Sequence, residues 1–200
     1  MRNSYGTNWG DGGYGWIKYG SNKIGMGAAW AAMAAPAHNF TAVWRKTDLV
    51  AQVQGHGWSV ADTEARGAEI GPKGYRIETL DIVVEGGKAQ YSVVWHKLGD
   101  IAEKRAFGLG ESDYLAKYEE LEKAGWRVHL LEPYVVGGVV KYSAVFRKES
   151  KVEEKQVLGL GSAEFEKHNA ALRGDGWHVH LVEPRMVGKT LEYAAVWRKG

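Results

Sequence analysis

Apolar and polar residues alternate most regularly where Tyr142, Ala144 and Phe146 interleave with Ser143, Val145 and Arg147. A period of two predicts a strand with one aromatic face and one more polar face. Upstream, Trp126, Val128, Leu130 and Glu132 fall on one side of an opening strand, opposite Arg127, His129 and Leu131. Pro133 and Gly137-Gly138 separate the two runs, so together they predict a β-hairpin. Ahead of the hairpin, Tyr114, Leu115, Tyr118 and Leu121 form one helical stripe within Asp113 to Ala124, with Ser112 as N-cap and Gly125 past the end. Lys104 to Gly110 predicts a short strand ending in glycines. The order is strand, helix, strand, strand.

The same phrase recurs along the chain. Phe40-Thr-Ala-Val-Trp-Arg-Lys46 returns as Tyr91-Ser-Val-Val-Trp-His-Lys97, Tyr142-Ser-Ala-Val-Phe-Arg-Lys148 and Tyr193-Ala-Ala-Val-Trp-Arg-Lys199, starting at 40, 91, 142 and 193. Gly74-Tyr-Arg-Ile, Gly125-Trp-Arg-Val and Gly176-Trp-His-Val keep the same 51-residue spacing. A constant period of this length marks a supersecondary unit copied in tandem. Other copies repeat the helix, at Asp62 to Ile70 (with Gly67 inside) and at Ala163 to Arg173 after Ser162. A single unit is too small to hold a core, so neighbouring copies must share one, and the aromatic face is expected to pack on the helices. The expected fold is α+β: tandem β-α-β-β units forming one compact pseudo-symmetric domain with mainly antiparallel sheet. Its parts would be leading strands and a hairpin over 1–48, then units over 49–99, 100–150 and 151–200.

Composition narrows the chemistry. The 200 residues contain no cysteine, which removes disulfides, thiolate metal sites and cysteine nucleophiles. A net charge of +2 leaves no electrostatic footprint for nucleic acid or an anionic membrane. Glycine, at 27 residues, is about twice the usual ~7% and accompanies nine Trp and ten Tyr, a mixture that suits tight turns between aromatic strands rather than disorder. The low-charge run Ile24 to Ala37 is too short for a bilayer span and starts too far in for a signal peptide, so it is expected to be a buried strand. The Gly-rich stretch at 10–15 precedes no helix and lacks Lys-Ser/Thr, so it is no phosphate loop. No cofactor motif and no metal-ligand set stand out.

Asn3-Ser4, Gly6, Trp9-Gly10 and Gly13-Tyr14, with Tyr5 where the family usually has Trp, resemble the C-terminal end of papain-like cysteine peptidases, over about residues 2–30. The resemblance implies that Asn3 descends from the residue that orients the catalytic histidine. With no cysteine, and with all seven histidines after Asn3, peptidase activity of that kind is excluded. The expected reading is a reading frame that begins late in a peptidase gene, its first strands recruited to seal the first repeat. The residues at 74–97, 125–148 and 176–199 resemble a second element, the bacterial tandem repeat domain appended to secreted hydrolases, related to repeats of fungal polyglycine hydrolases. That resemblance spans about residues 23–200. It implies an extracellular or cell-surface accessory module beside a hydrolase, and it carries no catalytic residues.

Four groups of residues could carry chemistry. His178 and His180 project to one face of a strand, with His129 as repeat partner of His180; they are either metal-binding imidazoles or members of the more polar sheet face. Asp81, Glu132 and Glu183 occupy equivalent positions, the latter two before a proline. Their parity places them on the aromatic face, where they could form an acid/base pair or simply satisfy hairpin turns. Arg45, Arg147 and Arg198, with His96 in the remaining copy, either pair with the adjacent unit or present basic groups to a polymer once per repeat. Trp9, Trp16 and Trp58 could stack on sugars. Trp58 stands out because its equivalents are Leu109 and Leu160.

The function expected is a non-enzymatic binding module for an extracellular polymer, carbohydrate or peptide, with Trp58, His178, Arg147 and Arg198 as contacts. The alternative is a glycosidase-like hydrolase using Glu132, Glu183, His129 and His180. A third reading is an inactive fragment of a larger peptidase–repeat protein.

Overall fold

Nine strands and three helices alternate in a fixed order through residues 51–199, the part that the computed structural model describes. All of it belongs to one unit, Val50–Gly200. The residues expected to be a papain-like remnant, the hairpin expected at 23–46, and Trp9, Trp16 and Arg45 lie outside the described residues. The first set is β1 (Gln52–Trp58), α1 (Val60–Ile70), a 3-10 turn at Gly71–Lys73, β2 (Tyr75–Glu85) and β3 (Lys88–Lys97). The second is β4 (Glu103–Leu109), α2 (Glu111–Lys123), β5 (Trp126–Val136) and β6 (Val139–Lys148). The third is β7 (Glu153–Leu160), α3 (Ser162–Gly174), β8 (His178–Val187) and β9 (Thr190–Lys199).

The α+β assignment needs correction. The described chain is 56% strand and 27% helix, held in three separate three-stranded antiparallel sheets ordered β1-β3-β2, β4-β6-β5 and β7-β9-β8. Sheet therefore carries the fold. The physical reason lies in the helices, which span 11 to 13 residues and bury little: α2 buries only Tyr114 and Leu121, and α3 buries no residue fully.

Helix starts also move relative to the sequence pattern. Ser59 caps α1: its hydroxyl accepts from the Asp62 N–H at 3.1 Å, and Asp62 accepts from the Ser59 N–H at 3.0 Å. This capping box starts the helix at Val60, two residues before the expected Asp62. Ser112 and Ser162 are not caps. Gly110 and Gly161 hold those positions in extended conformation, and the Gly161 N–H donates to Glu164 at 3.1 Å.

The faces of the opening hairpin strands are corrected by a bulge. Pairing of β5 with β6 shifts between Val128 and Leu130, so His129 is the extra residue. Val128 and Leu131 then join Tyr142, Ala144 and Phe146 against Tyr114 and Leu121 of α2, while Leu130 and Tyr134 turn to the first set's core around Ile77, Leu80, Tyr91 and Trp95. Glu132 stands opposite Ser143, not Tyr142, and so leaves the aromatic face. The same shift occurs between Ile77 and Thr79 in β2 and between Val179 and Leu181 in β8.

Successive sets share cores. Ala194, Val196 and Leu181 of the third pack into the cluster of the second. Tyr91 Oη lies 3.0 Å from Tyr134 Oη and 2.8 Å from Ser143 Oγ, which also accepts from the Gly108 N–H at 3.0 Å. One period later, Tyr142 Oη accepts from Arg185 at 2.8 Å and donates to Glu111 at 3.1 Å. The closing-strand tyrosines of the first two sets are thus each held by the set that follows.

Candidate functional site

β2, β5 and β8 are edge strands of their sheets, and such strands leave every second N–H and C=O unpaired. At Ile77 of β2 and Val128 of β5, the next set supplies partners for the backbone N–H and C=O. Glu103 accepts from the Ile77 N–H at 3.0 Å, while Arg147 donates to the Ile77 carbonyl at 3.0 Å and pairs with Glu78. Fifty-one residues on, Glu154 accepts from the Val128 N–H at 3.1 Å and Arg198 donates to the Val128 carbonyl at 2.8 Å. Arg198 also reaches Glu154 at 3.1 Å and Glu149 at 3.0 Å. Burial pushes the Glu103 and Glu154 carboxyls up, and the backbone N–H and neighbouring arginines oppose that shift. Arg147 and Arg198, expected as ligand contacts, therefore sit in clasps between sets.

Beside the clasps, the bulges bring further polar side chains inward. His129 Nε2 lies 3.7 Å from Glu78, yet burial and the Arg147 charge hold its imidazole down to about 4, so it is neutral at pH 7. Burial and Arg198 lower His180 as well. Nε2 of each ring lacks a hydrogen-bond partner. His178 replaces Arg76 and Arg127 of the earlier sets and is exposed. In those sets the arginines bridge to the start of the next one: Arg76 donates to Ile101, and Arg127 donates to Val152 at 2.5 Å.

Asp81, Glu132 and Glu183 come within reach of one another's fields. Burial, then the charges of Glu183 and Asp81, push Glu132 up to about 8, so its carboxyl is protonated at neutral pH. Burial and Asp81 raise Glu183. Among the described residues, no group of three or more His, Asp or Glu is placed to hold a metal. Trp58 is half-buried, its ring centroid 5.7 Å from that of Trp95 and its indole laid over Gly55. No Trp or Tyr is among the exposed large apolar residues described.

Residues 105–149 match the polyglycine hydrolase-like structural repeat. That stretch runs from β4 through β6, one strand–helix–strand–strand set of the repeat, and covers less than a quarter of the chain. No curated protein matches the sequence. The described residues form a series of β-rich repeats.

Glu103 and Glu154 lie outside the aromatic phrase that marks the repeat. They are 51 apart, Glu103 as the first residue of β4 and Glu154 as the second of β7, and Gln52 stands at the equivalent place in β1.

Proposed function

We propose that the chain is a non-enzymatic accessory module that binds an extracellular polymer, carbohydrate or peptide, along the polar side of β2, β5 and β8. The observation supporting this reading is the gathering of Asp81, Glu132 and Glu183, one from each repeat, on strands that pack β2 against β5 and β5 against β8. A ligand with its own repeat can meet the same group three times, and linked weak contacts add as avidity. Exposed His178 extends that surface on β8. Resemblance to repeats appended to secreted hydrolases supports the extracellular setting. The test is a pull-down of the purified chain on insoluble polysaccharides and on immobilised glycine-rich and mixed peptides. Retention that Glu132→Gln with Glu183→Gln weakens at least tenfold, without turnover in reducing-sugar, ester or peptide-bond assays, is the expected result. No retention on any polymer, with the variants folded, removes the reading.

One observation favours a second reading. A carboxyl that keeps its proton at neutral pH beside two other acids has the features of a general acid paired with a base, as glycoside hydrolysis requires. In that case Glu132 protonates the leaving oxygen and Glu183 or Asp81 takes the base or nucleophile role. Turnover of a polysaccharide that disappears in Glu132→Gln would establish it in place of simple binding.

A further inference from the structure

Equivalent positions on α1 and α3 differ in a way that opens a site at one of them. In the third repeat, the Trp197 indole N–H donates to Asn169 Oδ1 at 3.3 Å. Two periods earlier stand Trp95 and Gly67. Gly67 has no side chain to accept, and Trp95, only 1% exposed, has an Nε1 without a hydrogen-bond partner. The middle repeat has Phe146 and Tyr118 at these places, where the ring has no N–H to satisfy. The orphan donor is therefore peculiar to the first repeat. A buried indole N–H with no acceptor is costly, and such sites are filled by a ligand or an ordered water.

Beside Gly67 lies a cleft lined by Trp95, Arg105, Arg76 and Glu103 among others. Arg105 reaches across from β4 so closely that a side chain at Gly67 would collide with its guanidinium. Its Nη1 is buried and has no hydrogen-bond partner; the nearest carboxylate oxygen, of Glu64 on α1, is 3.8 Å away. The remaining charges are occupied. Arg76 donates to the carbonyls of Ile101, Gly71 and Tyr75, and Glu103 is bound by the Ile77 N–H. Two unpartnered donors, one of them cationic, thus face one cleft.

We propose that this cleft between α1 and β4 binds a carboxylate, which accepts from the Trp95 indole N–H and from the Arg105 guanidinium. A carboxylate matches a guanidinium in shape and charge, and charge-assisted bonds are about twice as strong as neutral ones. Glu64, the carboxylate that approaches Arg105 from α1, is the one that the ligand displaces. The site is separate from the Asp81–Glu132–Glu183 group and holds whether or not that group binds a polymer.

Tryptophan-indole 15N-labelled full chain supplies the test, with the Trp95 resonance identified by its loss in Trp95→Phe, the ring that Phe146 already provides at the equivalent place. Titration with N-acetylglycine and with galacturonate distinguishes a peptide carboxylate from a sugar acid; N-acetylglycinamide is the neutral control. The expected result is a saturable downfield shift of the Trp95 N–H with at least one of the two acids and none with the amide. Gly67→Asn, which offers an acceptor like Asn169 and displaces Arg105, should abolish the response, and Arg105→Met should weaken it at least tenfold if Gly67→Asn does not fold. A resonance unmoved by either acid, as an ordered water alone would leave it, overturns the proposal. So does an equal response to the amide, or a response that survives in Arg105→Met.

Discussion

Glu132 and His129, three residues apart on β5, tie the stability of the fold to pH in opposite directions. Glu132 titrates near 8 when folded against a usual 4.5, so between those values the folded chain holds a proton that the unfolded chain has lost. Stability from this group is complete below pH 4.5 and falls as pH rises towards and through 8. Glu132→Gln should thus be more stable than the parent at pH 8.5, by on the order of 2 kcal/mol, and little changed at pH 4, as urea melts at the two pH values will report. His129 acts the other way. Its folded value of about 4 lies under the usual 6.5, so stability is present above 6.5 and is lost as pH falls through that window. The parity of the hairpin strand put Glu132 on the aromatic face, and the bulge at His129 moved it to the side where repeats meet. Nothing in the local sequence marks that bulge, because His129 fits a regular strand as well as an irregular one. The identities of the polar residues were legible, whereas their facing depended on a one-residue shift in pairing with β6.

At the level of elements, the first strand of each repeat carries its own irregularity, and here glycine is required. Gly57, Gly108 and Gly159 have φ of 68°, 69° and 70°, at the places where β1, β4 and β7 shift register against β3, β6 and β9. A Cβ at Gly108 would meet only ordinary contacts with Tyr134 and Val60, so the cost of Gly108→Ala is conformational, about 1–2 kcal/mol. Gly174, at the end of α3 with open space around it, is the control: Gly174→Ala should be neutral or slightly stabilising in thermal melts. The glycines and the strand-ending pattern were readable from the 51-residue period. The α1 start was readable too, since Ser59 and Asp62 have capping-box spacing, but the apolar stripe drew attention to a later residue. The dominance of sheet was harder to foresee. It follows from how little of each helix is buried, which depends on the shared cores that Leu130, Tyr134, Leu181 and Val196 build between repeats.

Across the described molecule, neighbouring repeats are joined by one device used twice. Arg198→Met leaves the Glu154 carboxylate, whose side chain has 0% exposure, without its closest cation and should cost about 3 kcal/mol. Adding Glu154→Leu should recover part of the loss, since the unpaired charge is then gone as well. In arrays stabilised by nearest neighbours, the damage stays local. Amide hydrogen exchange on Arg198→Met should therefore accelerate in β5 and β7–β9 and leave β1–β3 near the parent rate. The arrangement is also vectorial. In each clasp the receiving backbone belongs to the earlier repeat and the gripping side chains to the later one, with Arg147 lying 70 residues beyond the Ile77 carbonyl that it holds. A nascent chain leaving the ribosome must therefore carry an ungripped edge strand until the following repeat has been translated almost to the end of its last strand. Each new repeat completes the one made before it while exposing a fresh edge of its own.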